Sequence, residues 1–108
     1  AVWACWDVPQ IGATQAVEAA GRNEVKTYGI DGSPEVIKMV MDSKSSAGAV
    51  AAQQPYEIGK TSVDNAARYL AGQKVAPFTF VPAVLINKEN AAEKGKPFLD
   101  AAEKAGVK

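Results

Sequence analysis

The chain has 108 residues, 12 lysines and arginines balanced by 12 aspartates and glutamates, one cysteine and no histidine. That length allows one small domain with a modest core; the net charge is zero and no basic stripe of the kind a phosphate backbone needs is present, which argues against nucleic acid as a partner. No apolar run nears the roughly 20 residues that span a bilayer; without histidine the commonest neutral-pH base and transition-metal ligand are gone, so no metal or other cofactor is expected.

Ala1 to Trp6 is apolar and predicts a buried strand, with Cys5 inside it as a buried, inert thiol. A domain rarely opens on its core strand, so the chain is expected to be the back portion of a larger protein and its site one half of a site. Asp7-Val8-Pro9-Gln10 predicts a helix start in which Asp7 caps, Pro9 sits in the first turn and Gln10 completes a capping box. Ile11, Ala13, Ala16, Val17 and Ala20 then predict a small apolar face against a sheet, and Gly21 closes the helix. Val25 to Ile30 is the second predicted strand. Ser33 caps the next helix, Pro34 opens it, and Val36, Ile37, Val40 and Met41 form its buried side. Ala47 to Ala52 is the third strand.

Strand, helix, strand, helix, strand is an α/β pattern and predicts a Rossmann-like parallel sheet. A third proline-led helix runs from Pro55 to Leu70, with Ile58, Val63, Ala66, Ala67 and Leu70 as its apolar side, and ends at Gly72. Pro77 and Pro82 confine the stretch around Phe78, Phe80 and Val81 to a sheet edge or a crossing segment. Val84 to Ile86 is a strand. Asn90 to Glu93 predicts a capped turn broken by Gly95, and Pro97 to Ala105 a short final helix.

In an open parallel sheet, ligands bind beyond the carboxyl ends of the strands. Asp7 with Trp6 before it, Asp31 and Gln53 each follow one of the first three strands. A carboxylate accepts hydrogen bonds from two adjacent hydroxyls, an amide both donates and accepts, and an indole offers a flat apolar face to the C–H side of a sugar. Each residue also has a plainer reading: Asp7 as a helix cap alone, Trp6 as core, Asp31 as a turn former, Gln53 as a partner for the backbone before Pro55. Spacing leaves both readings standing, but convergence on one edge suits a small neutral polyol. Gly29-Ile30-Asp31-Gly32 lacks the dinucleotide pattern. Gly59-Lys60-Thr61 is no phosphate loop, because Gln54 stands where its first glycine belongs.

Taken together, Ala1-Val2-Trp3-Ala4, Gly29-Ile30-Asp31-Gly32-Ser33-Pro34, Ala52-Gln53-Gln54-Pro55-Tyr56-Glu57-Ile58-Gly59 and Val81-Pro82-Ala83-Val84-Leu85-Ile86-Asn87-Lys88 resemble the C-terminal portion of periplasmic sugar-binding proteins of bacterial ABC transporters. The likeness is to the ribose- and galactose-binding type, the type I periplasmic binding proteins. It implies two Rossmann-like lobes joined by three crossing segments, with a sugar or polyol in the cleft. Residues 1–53 would then be a β-α-β-α-β segment of the C-terminal lobe, 54–78 a helix packing on the N-terminal lobe, and 79–108 a return strand and tail. The resemblance further implies hinge crossings at Gln53 and Phe80, and ligand contacts from Trp6, Asp31 and Gln53 with Asp7 beside them. It implies binding without catalysis, a membrane permease and the N-terminal lobe as partners, and a location in the periplasm or as an extracellular lipoprotein, with a signal peptide on the precursor.

Trp6 departs from the ribose-binding pattern, which has Asn at that position. The exchange replaces a bidentate amide with an apolar face and one N–H donor, so a ligand other than ribose is expected. The nearest alternative is the effector-binding core of a ribose-repressor-like regulator. Those carry Asp-Asp after the glycine-aromatic pair, whereas Asp31-Gly32 stands here.

Overall fold

Short apolar strands alternating with proline-led helices produce one four-stranded sheet in the order β1-β2-β3-β4. The computed structural model describes residues 1–107. The strands are β1 (Val2–Trp3), β2 (Thr27–Asp31), β3 (Ala47–Ala52) and β4 (Val84–Asn87). The first three are parallel, whereas β4 runs antiparallel to β3, so the sheet is mixed and mostly parallel. The reversal follows from the connection. The chain leaves β3 at Ala52 into α3 (Pro55–Leu70) and re-enters at Val84, the residue that pairs with Ala52. Entry and exit share one end of the sheet, and β4 occupies an edge.

Apolar packing is concentrated on α2 (Pro34–Met41). Val36, Ile37 and Val40 are fully buried against Ala47, Val50 and Ala52 of β3 and Ile86 of β4. Each such side chain contributes roughly 1.5–3 kcal/mol when removed from water. Ser33 caps this helix, its Oγ accepting from Val36 N–H at 3.5 Å. At the other end, Lys88 Nζ donates to the carbonyls of Met39 and Asp42 at 3.4 and 2.5 Å. Phe98 and Leu99 of α4 (Lys96–Lys104) cover the outer side of the same cluster.

α1 (Asp7–Ala19) packs differently. Of its expected face, Ile11, Ala13 and Val17 are half-buried, with Ile11 against the core cluster, whereas Ala16 and Ala20 are exposed; its buried residues are Asp7, Gln10 and Thr14. These positions are spaced i, i+3, i+7 and share one side of the helix. They meet alternate residues of β2, which also share one face. Thr14 Oγ1 lies 2.6 Å from Thr27 Oγ1. Gln10 lies flat on Gly29, and Asp7 reaches the turn that follows β2. Gln10 Nε2 donates to Ala49 O at 3.0 Å, and Glu18 Oε1 accepts from Ser45 Oγ and Ser46 N at 2.9 and 2.7 Å. Gln10 therefore forms no capping box, and Asp7 forms no cap on its own helix. Polar partners on the sheet, at Thr27 and Ser46, make a polar helix face the complementary one.

This packing requires glycine at position 29. A Cβ there would stand 2.3 Å from Gln10 Oε1. Gly29→Ala is expected to lower stability by about 1–3 kcal/mol, the usual range for overpacking, measured by urea unfolding. Combined with Gln10→Ala, which removes the obstacle, the loss should be less than additive by at least about 0.5 kcal/mol.

Other expectations are corrected by position. The opening strand is only Val2–Trp3, and both residues are exposed because β1 is an edge strand with β2 as its one partner. Of the first six residues only Ala4 is buried, and Cys5 is exposed, not an interior thiol. Met41 ends α2 and is exposed. Gly95 does not break the chain's path: Ala91–Gly95 is a π-helical turn that runs directly into α4. α3 has no buried residue, so the side carrying Ile58, Val63 and Leu70 is open.

Candidate functional site

Because β1, β2 and β3 are parallel, the residues that follow them collect at one end of the sheet. β2 terminates at Asp31, and Gln53 is the first residue beyond β3. Ladder pairing sets Asp31 opposite Ala52, and Gln53 N–H donates to Asp31 O at 2.9 Å. The side chains also meet: Gln53 Nε2 donates to Asp31 Oδ1 at 2.7 Å, and both residues are exposed. This bond leaves Asp31 Oδ2, Gln53 Oε1 and one Gln53 N–H free for other partners. Two acceptors and a donor on one exposed rim match the hydrogen-bonding pattern of neighbouring hydroxyls.

Asp31 is held in an unusual backbone state. Its φ is 102°, the sole positive value for a non-glycine residue among those described. Gly32 follows at φ 86°, and a Cβ there would lie 2.6 Å from Ala52 Cβ. Two consecutive residues of positive φ turn the chain sharply away from the sheet. Such a conformation costs an ordinary residue on the order of 1–3 kcal/mol and persists where the surroundings over-determine it. Asp7 bonds the residues that follow. Asp7 is 8% exposed, with Oδ1 accepting from Gly32 N–H at 3.1 Å and Oδ2 from Ser33 N–H at 2.6 Å.

Trp6 stands at the start of α1, 52% exposed, so it is neither core nor capped over. It follows β1 and therefore lies at the same end of the sheet as Asp31 and Gln53. A groove of about 710 Å³ is lined by Asp7, Asp31, Ser33, Gln53, Tyr56 and Phe98 among others, whereas Trp6 lies outside it. The structure thus bonds Asp31 to Gln53 directly, places Asp7 in the same groove through Gly32 and Ser33, and leaves Trp6 outside that groove at the same end of the sheet.

One hydrogen bond joins the segments next to the expected crossing points. Gln54 Nε2 donates to Pro82 O at 2.8 Å, tying the segment that leaves β3 to the segment that enters β4. Phe80 lies two residues from that bond and is exposed. Gln54 is not among the site residues that the sequence predicts. Its one signal is Pro55, which biases the preceding residue toward extended backbone and away from helix. Among the described residues, no three His, Cys, Asp or Glu side chains cluster as a metal centre would, and no helix is long and apolar enough to cross a membrane.

Residues 1–74 match the periplasmic binding protein domain family. The ribose import binding protein of Escherichia coli (strain K12) is 40% identical over 75 residues, 69% of this chain and 25% of that protein. Among solved structures, an ABC sugar transporter subunit from Rhodobacter sphaeroides 2.4.1 superposes with a TM-score of 0.77 at 72% identity, over 82% of this chain and 31% of the other. An ABC transporter solute-binding protein from Agrobacterium vitis, solved with bound allitol, gives a TM-score of 0.83 at 49% identity, over 88% and 33%. The chain spans about a quarter of the length of the curated relatives it matches.

Proposed function

The chain belongs to the periplasmic binding protein domain family, and from that premise we propose that it supplies one wall of the ligand cleft in the solute-binding component of an ABC sugar importer. The ligand is a small polyol, with an open-chain hexitol as the first candidate. The exposed Asp31–Gln53 pair at the ends of β2 and β3 carries the reading. Asp31 accepts from adjacent hydroxyls, Gln53 accepts from one and donates to another, and the indole of Trp6 covers the C–H side of the carbon chain. The relative that holds allitol supports this choice of ligand.

The mechanism is binding without chemical turnover. Residues 53–54 and 80–83 act as adjacent crossing segments about which a second lobe closes, with the Gln54–Pro82 bond keeping their spacing. A ligand that touches both walls binds the closed form more tightly and shifts the population toward it. The closed form is the one a membrane permease docks, in the periplasm.

Calorimetric titration of the full-length protein with allitol, other hexitols and ribose tests the reading. The expected order is allitol or another hexitol well ahead of ribose, with Trp6 fluorescence changing on binding. Ribose binding as tight as that of any hexitol, or no polyol binding, would overturn it.

A further inference from the structure

We infer that Asp7 is a positioning residue for the ligand rim and not itself a ligand contact. Its placement on the rim suggests a hydroxyl acceptor, yet both of its oxygens are already committed to the backbone of Gly32 and Ser33. Buried as it is, it stabilises the tight turn from beneath. That turn holds Asp31 at φ 102° and so aims the Asp31 carboxylate at Gln53. The order of action runs from Asp7 through two amide N–H groups to Asp31, and from Asp31 to Gln53.

The rest of the buried face of α1 explains why Asp7 arrives at the right depth. Apolar faces tolerate small sliding, whereas hydrogen bonds fix both distance and direction. One turn beyond Asp7, Gln10 is bonded to Ala49 O and fills the space left by Gly29; beyond it, Thr14 is bonded across to Thr27. Helix and strand are thereby held in a single register, and Asp7 is delivered beneath Gly32 and Ser33. A charged acceptor is the effective choice there, because hydrogen bonds to an ionised group are about twice as strong as neutral ones.

The test compares Asp7→Ala and Asp7→Asn in the full-length protein, with allitol as the probe and nuclear magnetic resonance of the Gln53 side-chain amide and the Gly32 and Ser33 amides as a second readout. Asp7→Ala should weaken allitol binding at least about 30-fold, since two charge-assisted bonds holding the turn are lost. It should also shift the Gln53 amide signals and speed hydrogen exchange at Gly32 and Ser33. Asp7→Asn keeps one acceptor, so a loss of about 3- to 10-fold with a smaller Gln53 shift is expected. A merely structural Asp7 would lower the melting temperature but leave the Gln53 signals and the affinity at low temperature unchanged, and that result overturns the inference. The binding arm rests on the proposed polyol site, whereas the amide arm does not. Wild-type protein that ignores allitol while Asp7→Ala still displaces Gln53 refutes the ligand reading and leaves the positioning role standing. Should Asp7→Ala fail to fold, Asp7→Asn decides by the same two readouts.

Discussion

Asp31→Gly is expected to abolish polyol binding, by at least about 100-fold, while leaving the fold as stable as before. The binding loss follows from removing a carboxylate whose hydrogen bonds to hydroxyls contribute roughly 1.5–3 kcal/mol each. The stability result follows from the backbone. Asp31 occupies φ 102°, a region that glycine enters without steric penalty. Relief of that strain, on the order of 1–3 kcal/mol, offsets the lost Gln53 bond and the greater freedom of glycine in the unfolded chain. Calorimetry and urea unfolding on the same preparation give both numbers. A variant that unfolds easily would mean that Asp31 serves the turn and not the ligand. Asp31→Asn, which tolerates positive φ and keeps the shape, should bind with an affinity between those of the wild type and the glycine variant, because it retains an acceptor without the charge.

Trp6→Asn is expected to invert ligand preference. The indole presents a broad apolar face and one donor, whereas an amide presents a donor and an acceptor within reach of a cyclic pentose. Losing the stacking surface should weaken hexitol binding by about 2- to 150-fold, given the roughly 0.5–3 kcal/mol typical of burying part of a large aromatic. Ribose, favoured by the amide, should gain relative to allitol by a similar factor. With Trp6 52% exposed and outside the core cluster, the melting temperature should change little. The ratio of the two dissociation constants is the decisive quantity, since a general loosening of the site would weaken both ligands alike.

Much of this architecture was legible in residue order. Pro55–Leu70 and Ala47–Ala52 fall where the proline start and the short apolar run predicted them. The Ser33-Pro34 start of α2 works by the expected cap. The ends of β2 and β3 are readable to within one residue as well, which puts Asp31 and Gln53 at one end of the sheet. Reading failed where a residue's partner lies far away in the chain. Asp7 has every local mark of a helix cap, yet its hydrogen bonds go to residues 25 and 26 positions later. Gln10 fits a capping box by spacing, but its acceptor is Ala49. Both have one cause: the fully buried positions of α1 are polar, while its apolar Ile11, Ala13 and Val17 are only half-buried and Ala16 is exposed, against the apolar pattern on which helix-face reading depends. The antiparallel sense of β4 was hidden for a similar reason, since it depends on where α3 and the segment after it return and not on the composition of the strand.

The measurement that bears most directly on the account is a crystal structure of the full-length protein grown with allitol. Density for the polyol is expected across the rim, with hydroxyl oxygens at hydrogen-bond distance, about 2.6–3.2 Å, from Asp31 Oδ2 and the Gln53 amide, and with its carbon chain against the indole of Trp6. A polyol seated elsewhere, with Asp31 and Gln53 bonded only to one another and Trp6 untouched, would contradict it.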